Sequence, residues 1–585
     1  MVAHSSPSIR ALKAAAGLAA IVGGAMLLPR PLSALLALTW VLGAAIVAAA
    51  VGLARTTRWS GWGWAAIAVA VVAAAGTVMF PAEIIRALPT VLGVLFALNA
   101  LRLVTRAVRQ GAPPSRVSRV LFALASGAAA VLVWLWPDVA LLLLGWTTAT
   151  ALNVAGAVLL WRAVRGARNK RRQTNPRRHR GGLRVAAAAV TVVAMAALSA
   201  GSIWLRSDIN ASDDFYSWSS PVPDAPGEPL RVAPYDGDVP EGADALRILY
   251  ATTRADGSAA VASAVVVIPT ASSPEDRLVL AWQHGTTGVA QPCAPSLTDG
   301  AVTDANLPGI TQMVARGWLV VATDYPGQGT SGRYPYLIGE GEGRATLDAV
   351  RAARQLDDAN ASNRVMVWGH SQGGHATLWA GQIAEDYAPE LHIEGVAALS
   401  AAVDPFAMAQ RVTGAGSSAL GEAITSFVLV PYADEYPDIT IGDVTHPAGA
   451  VFAESAASRC VLDRGMLVTV LVSLGLGDQD ALYRLDLDSG SVRYRLEENI
   501  ASGIVPAPLY LGQGVDDEVI PIEMQRTLAA SLYATGRTLE VHEYPGRTHM
   551  GVVAEDSPLI PDLFAWADGI LDGDSAPASN EGCVG

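Results

Sequence analysis

The chain has 585 residues, enough for more than one domain, and 51% of them are hydrophobic, which excludes a disordered chain and sets it apart from an ordinary soluble enzyme. The net charge of −12 averages two unlike halves. Residues 1–206 carry 22 Lys and Arg against only Glu83 and Asp138 (+20), whereas residues 207–585 carry 19 basic and 51 acidic residues (−32). The basic residues lie between apolar runs and the acidic half would repel phosphate, so nucleic acid is excluded as a partner.

Seven apolar runs follow one another: Ala14–Leu28, Leu32–Ala54, Trp62–Phe80, Ile84–Val104, Val117–Trp136, Val139–Leu160 and Val185–Leu205. Most approach the ~20 residues a helix needs to cross a bilayer, and a soluble core would not need seven in a row. The first half is therefore expected to be an all-α transmembrane domain of about seven spans, residues 1–206. Loop charge sets its orientation. Arg10 and Lys13, Arg55 and Arg58, Arg106 to Arg119, and ten basic residues from Arg162 to Arg184 alternate with nearly neutral loops holding Arg30, Glu83 with Arg86, and Asp138. Positive loops stay in the cytoplasm, so the N-terminus is expected inside and everything beyond Leu205 outside.

The prolines Pro31, Pro81 and Pro137 recur at outer turns and suggest three helical hairpins, with Gly43 and Gly93 each 12 residues beyond theirs. This pattern resembles the acid-resistance-type (HdeD-like) family of membrane repeats. Asn99 and Asn153 are the conspicuous polar residues within the spans, suited to interhelical hydrogen bonds, and an anchoring role is expected rather than transport. The seventh span also has the form of an internal signal peptide around Ser199-Ala200-Gly201. Its apolar run continues through Ile203, Trp204 and Leu205, which favours an uncleaved helix.

Residues 207–245, rich in Pro, Asp, Gly and Ser, read as a linker. Beyond it, LRILYATT and AVASAVVVIP predict a hairpin. RLVLAWQH, WLVVATDY, RVMVWGHS, GVAALSAA, PLYLGQG and LEVHEYPG predict short strands alternating with helices. That alternation implies a mostly parallel sheet with helices on both faces over residues 246–572, followed by a flexible tail, 573–585.

The chemistry lies in RVMVWGHSQGGHATLWAG, where a strand runs into Gly369-His370-Ser371-Gln372-Gly373 and a helix follows. A strand-to-helix turn this tight has no room for Cβ atoms two residues either side of the serine, which makes Ser371 the candidate nucleophile. Its base is expected to be His549, on the loop after the last strand. The acid should come from GVDDEVIP. Asp517 is chosen on the spacing Gly514, Asp517, Pro521, with Asp516 the alternative as a turn or helix cap. The order Ser371, Asp517, His549 is that of an α/β-hydrolase. The oxyanion donors are expected to be the backbone amides of Gln372 and, in HGTTG, of Thr286, with Thr287 the alternative. No cofactor or metal site is expected.

HGTTGVAQPCAPS, VATDYPGQGTSG, YLIGEGEGRATLDAVRA, GHSQGGHA, GQGVDDEVIP and GRTHMG together resemble the bacterial relatives of the secretory lipase family, which includes the fungal lipase A type. The resemblance covers roughly residues 221–571. It implies an α/β-hydrolase fold, hydrolysis of carboxylic esters without a cofactor, and an inserted helical cap at about 405–505. In the cap, the run GMLVTVLVSLGLG suits either an acyl-chain site or lid, or a buried helix. It also implies a possible Cys293–Cys460 disulfide, permitted outside the cytoplasm, leaving Cys583 in the tail. The leading expectation is a membrane-anchored serine lipase or esterase acting on acyl esters or lipids outside the cytoplasmic membrane. The alternatives are acyl transfer by the same three residues, and a non-catalytic membrane protein with a hydrolase-fold binding module.

Overall fold

A computed structural model describes residues 7–573, except 57–60, 110–112, 166–179, 208, 211, 274, 414–418, 478–480 and 538. Most of the basic stretch between Arg162 and Arg184, and Cys583 with the rest of the tail from residue 574, lie outside the described residues.

Seven helices in the first half are long and apolar enough to cross a membrane: α1 Pro7–Leu27, α2 Pro31–Thr56, α3 Gly61–Met79, α4 Pro81–Arg109, α5 Pro113–Leu135, α6 Pro137–Arg165 and α7 Arg180–Leu205. Pro31, Pro81 and Pro137 each stand at a first helical position, where the missing N–H removes no intrahelical bond. The expected hairpins do not form as pairs. The helices joined at the proline turns barely touch, and instead α1 packs along α6, α2 along α3 and α4 along α5. Small residues decide this, because they let backbones approach closely. A Cβ on Gly17 would lie 2.8 Å from the Gly156 carbonyl, and one on Gly93 would lie 2.3 Å from the Trp134 indole nitrogen. Asn99 donates across to Ser126 Oγ (3.0 Å), whereas Asn153 turns back to the Ala149 carbonyl of its own helix (3.0 Å).

The second half is built on a nine-stranded sheet. Its strands are β1 Pro229–Pro234, β2 Ala243–Thr253, β3 Ala259–Pro269, β4 Arg277–Gln283, β5 Leu319–Thr323, β6 Ala361–His370, β7 His392–Leu399, β8 Leu509–Gly514 and β9 Glu540–Tyr544, in the order 1-2-3-5-4-6-7-8-9. Strands β1 to β3 run antiparallel, as does β3 against β5, and the other pairings are parallel. The stretch read as a linker is partly structural. Val232 pairs with Ile248 at the sheet edge, and Tyr216 is buried against Leu249 and Val261. Its proline-rich composition hid a strand that needs hydrogen bonds on one side only.

Alternate residues of the central strands point to opposite faces. Leu280, Trp282 and Trp368 pack under α8 (Ile310–Ala315) and α18 (Leu559–Leu571). Val279, Ala281 and Val367 pack under α9 (Gly339–Ala353) and α10 (Gln372–Tyr387). Between β7 and β8 the chain forms a helical cap: α11 Pro405–Thr413, α12 Ala419–Glu435, α13 Ile441–Val444, α14 Ala450–Ala457, α15 Met466–Leu476 and α16 Gly490–Glu498. Helix α17 (Ile522–Ala534) then packs beside β8.

The apolar run GMLVTVLVSLGLG became α15, which divides its faces. Val468, Val472 and Leu476 are buried with Leu32, Leu35, Ile85 and Leu141 of the first half, while Leu467, Leu471 and Leu474 are exposed. The proline turns at Pro31, Pro81 and Pro137 and the end of α7 therefore lie on the side of the bundle that meets the cap.

Candidate active site

Strand β6 ends at His370 and α10 begins at Gln372, leaving Ser371 alone on the turn with φ 59° and ψ −119°. A non-glycine residue at positive φ is strained, and the fold holds it there through its neighbours. The two flanking glycines are obligatory. A Cβ on Gly369 would lie 2.2 Å from the Gly373 carbonyl oxygen, and one on Gly373 would lie 1.9 Å from that of Gln283. The serine is thereby held at the carboxyl end of the central strands and at the N-terminus of α10, where the helix dipole favours developing negative charge.

His549, on the loop after β9, reaches this serine: its Nε2 is 2.9 Å from Ser371 Oγ, and its Nδ1 is 2.8 Å from Asp517 Oδ2. An ionised carboxylate can only accept, so Nδ1 carries the proton and Nε2 presents its lone pair to the serine hydroxyl. Asp517 is oriented in turn by the Gln513 side-chain amide (3.0 Å) and the backbone amides of Val519 (2.9 Å) and Ile520 (2.7 Å). Burial pushes its carboxyl up, but the His549 hydrogen bond and these amides outweigh it, so its pKa lies below the ordinary value. Asp516 is exposed, and its backbone amide donates to the Arg547 carbonyl at 3.1 Å. The neighbouring Glu518 accepts from the His549 amide (3.2 Å), a contact the spacing did not suggest.

Two further histidines lie near His549 and Ser371. The His370 ring lies 4.7 Å from that of His549 and its Nε2 meets the His549 carbonyl at 2.9 Å. Burial and the adjacent His549 lower its pKa to about 3, and burial lowers that of His284 to about 4. Both stay neutral near pH 7.

The loop after β4 passes beside Ser371. A Cβ on Gly285 would lie 3.6 Å from Ser371 Cβ. Thr286 Oγ1 meets the Tyr336 hydroxyl at 2.8 Å, and Thr287 is tied on both sides, to the Gln328 amide (3.0 Å) and to the Val461 amide (2.8 Å). Cys293, just beyond, is joined to Cys460 of the cap in a disulfide. Cap residues Met408, Phe427, Val461 and Met466 close an apolar cluster with Tyr334, Tyr336 and Val289 of this loop, so the cap side of the loop is apolar.

Behind Ser371 lies a buried network that the motifs did not signal. Glu342, in the first turn of α9, accepts from Gln372 Nε2 (2.9 Å) and the Leu337 amide (3.0 Å) and faces His375 Nδ1 at 2.7 Å. His375 Nε2 meets the Asn499 carbonyl at 2.8 Å, and Glu342 and His375 are fully buried. Gln372 also donates to the Tyr334 hydroxyl (2.8 Å). No group of three His, Cys, Asp or Glu suited to a metal occurs among the described residues. The arrangement supplies an oriented hydroxyl, a base and an acid, which is what acyl transfer through a covalent intermediate requires.

Residues 294–577 match the family model of the secretory lipases. Among curated proteins, the chain is 25% identical over 406 residues to lipase A of Moesziomyces aphidis, covering 64% of this chain and 84% of that one. It is 24% identical over 347 residues to a probable inactive lipase of Mycobacterium tuberculosis, covering 56% and 75%. Among solved structures it is similar to Candida antarctica lipase A, with TM-score 0.53 and 22% identity, covering 62% of this chain and 86% of that one. The C-terminal half of the chain thus matches the secretory lipase family model and has an α/β-hydrolase fold.

Proposed function

From a secretory lipase domain joined to seven membrane-length helices, we propose that this protein is a membrane-anchored serine hydrolase of carboxylic esters, a lipase or esterase acting outside the cytoplasmic membrane. The observation that carries the reading is the continuous hydrogen-bonded line from Ser371 Oγ through His549 to Asp517, at 2.9 and 2.8 Å. One curated relative is named a probable inactive lipase, so family likeness alone does not settle activity. The complete set of three groups in working geometry argues for it in this chain.

Ser371 Oγ attacks the ester carbonyl while His549 Nε2 takes its proton, and Asp517 stabilises the imidazolium. The oxyanion would be met by the amide of Gln372 and that of Thr286. His549 then protonates the departing alcohol, and water activated by the same imidazole releases the acid. The apolar cluster with Tyr334, Tyr336, Met408 and Phe427 suits an acyl chain.

Two observations support the external location. Most of the basic residues of the first half fall in alternate loops, the pattern that keeps those loops in the cytoplasm. The opposite ends of the helices, with their near-neutral turns, meet the cap.

The test is hydrolysis of a p-nitrophenyl ester series by the full chain in detergent, with Ser371→Ala as control. The full chain is required because α14 and α15 bury apolar side chains against the membrane helices. Turnover dependent on Ser371 supports the proposal, and equal turnover in Ser371→Ala removes it.

A further inference from the structure

The cap does not merely lie over the hydrolase. Its α14 and α15 rest on α4 and α6, where Phe452, Val468, Val472 and Leu482 share a core with Leu35, Ile85 and Leu141. Within this apolar seam sits a charged pair joining residues 321 apart. Arg459, between α14 and α15, places Nη2 2.7 Å from Asp138 Oδ2 at the start of α6 and donates from Nη1 to Thr469 Oγ1 at 2.8 Å. Its guanidinium also lies 5.2 Å from the Trp136 ring centroid. Asp138 is 1% exposed and Arg459 8%.

A buried pair of this kind adds little net stability over well-packed apolar residues, because both ions must be stripped of water. What it adds is direction, since a guanidinium and a carboxylate bind in few relative geometries.

The backbone of the same residue touches the catalytic side. A Cβ on Gly288 would lie 3.1 Å from the Arg459 carbonyl oxygen and 3.0 Å from Cys460 Cα, so these segments are in direct contact. Cys460 is bonded to Cys293, and the Val461 amide donates to the Thr287 carbonyl at 2.8 Å. Residues 459–461 therefore hold the membrane helices with a side chain and the loop beside Ser371 with a disulfide and a backbone hydrogen bond.

We propose that Arg459 is a positioning residue for the reaction at Ser371, seated by Asp138 so that the membrane helices set the loop carrying Thr286. The membrane half is then a working part of the enzyme as well as its anchor. The inference rests on reading Ser371 as the nucleophile.

The experiment uses the full chain in lipid nanodiscs and follows ester hydrolysis together with amide hydrogen exchange of residues 284–294. In Asp138→Asn, kcat is expected to fall on the order of tenfold with KM changed by less than about twofold, because misplacement of a donor loop weakens the transition state rather than substrate binding. Exchange of 284–294 should rise in the same variant. The charge swap Asp138→Arg with Arg459→Asp should recover most of both, and Arg86→Ala, which removes the exposed pair with Glu454 between α4 and the cap, should change neither. Unchanged kcat and exchange in Asp138→Asn and Asp138→Ala overturn the proposal and leave the Ser371 reading standing. Exchange that rises equally throughout the central strands marks a folding contact and also overturns it. A wild-type chain that hydrolyses no ester overturns the Ser371 reading itself, whatever the exchange shows.

Discussion

The side-chain amide of Gln372 donates to the carboxylate of Glu342 at 2.9 Å, so the residue following Ser371 is held from behind by a fully buried acid. Glu342 is itself pinned by the Leu337 amide and by His375, whose other nitrogen meets the Asn499 carbonyl at the end of the cap. The turn that strains Ser371 is thus braced by α9 and by the cap together.

Removing that acid leaves His375 and Gln372 buried without their partner. Glu342→Ala should lower the unfolding free energy by about 3 kcal/mol, the usual scale for breaking one side of a buried pair. It should also reduce kcat, while Glu342→Gln, which keeps the shape and one acceptor, should lose less of both. Thermal melts and ester hydrolysis on the full chain check this, and a Glu342→Ala protein with wild-type stability and turnover would contradict it.

The choice between adjacent acids is open to kinetics. Asp517→Asn leaves the ring nitrogen facing an amide and should lower kcat by roughly 10³ to 10⁴, as loss of the orienting acid does elsewhere. Asp516 is exposed, and Asp516→Asn should stay within about twofold of wild type, since surface changes away from the site have small effects.

Acid should destabilise the hydrolase through its buried neutral histidines. The unfolded chain protonates histidine near pH 6.5, whereas native His370 resists to about 3 and His284 to about 4. The unfolded state therefore binds more protons, and stability falls as pH drops below 6.5 by about 1.4 kcal/mol per pH unit for each histidine. Asp324 acts in the opposite sense. Burial raises its pKa to about 6, so the native state holds a proton that the unfolded state has lost between about 3.8 and 6. Below pH 6 Asp324 therefore offsets about one of the two histidines. His370→Gln, which can still donate to the His549 carbonyl, should show a shallower fall of melting temperature between pH 6.5 and 4.5. An unchanged slope would remove His370 from the account.

Topology has its own test. An alkaline phosphatase reporter fused after Asp213 should be active and one fused after Asn175 inactive, because the basic stretch up to Arg184 resists translocation. The reverse pair of results would put the hydrolase in the cytoplasm.

What the sequence disclosed depended on how local each signal was. Gly369, Ser371 and Gly373 sit within five residues, and the steric demand on those glycines is written in their spacing. The apolar runs likewise announce seven helices by length alone. Glu342 gave no such sign, since an acid in the first turn of an amphipathic helix is ordinarily a dipole partner in solvent. Asp138 and Arg459 each look like an isolated charge, and only the fold brings them together. The pairing of α1 with α6 was equally hidden. It depends on Gly17 meeting Gly156, whereas the proline repeat pointed to neighbours in the chain.

The central claim, that Ser371 is the nucleophile of an ester hydrolase, is met most directly by peptide mapping of the full chain after reaction with a fluorophosphonate. A single adduct on the peptide bearing Ser371 is expected, with loss of ester turnover in proportion to labelling and strongly reduced labelling in His549→Ala. Ester turnover that persists in fully labelled protein, or an adduct on another residue with Ser371 unmodified, would contradict it.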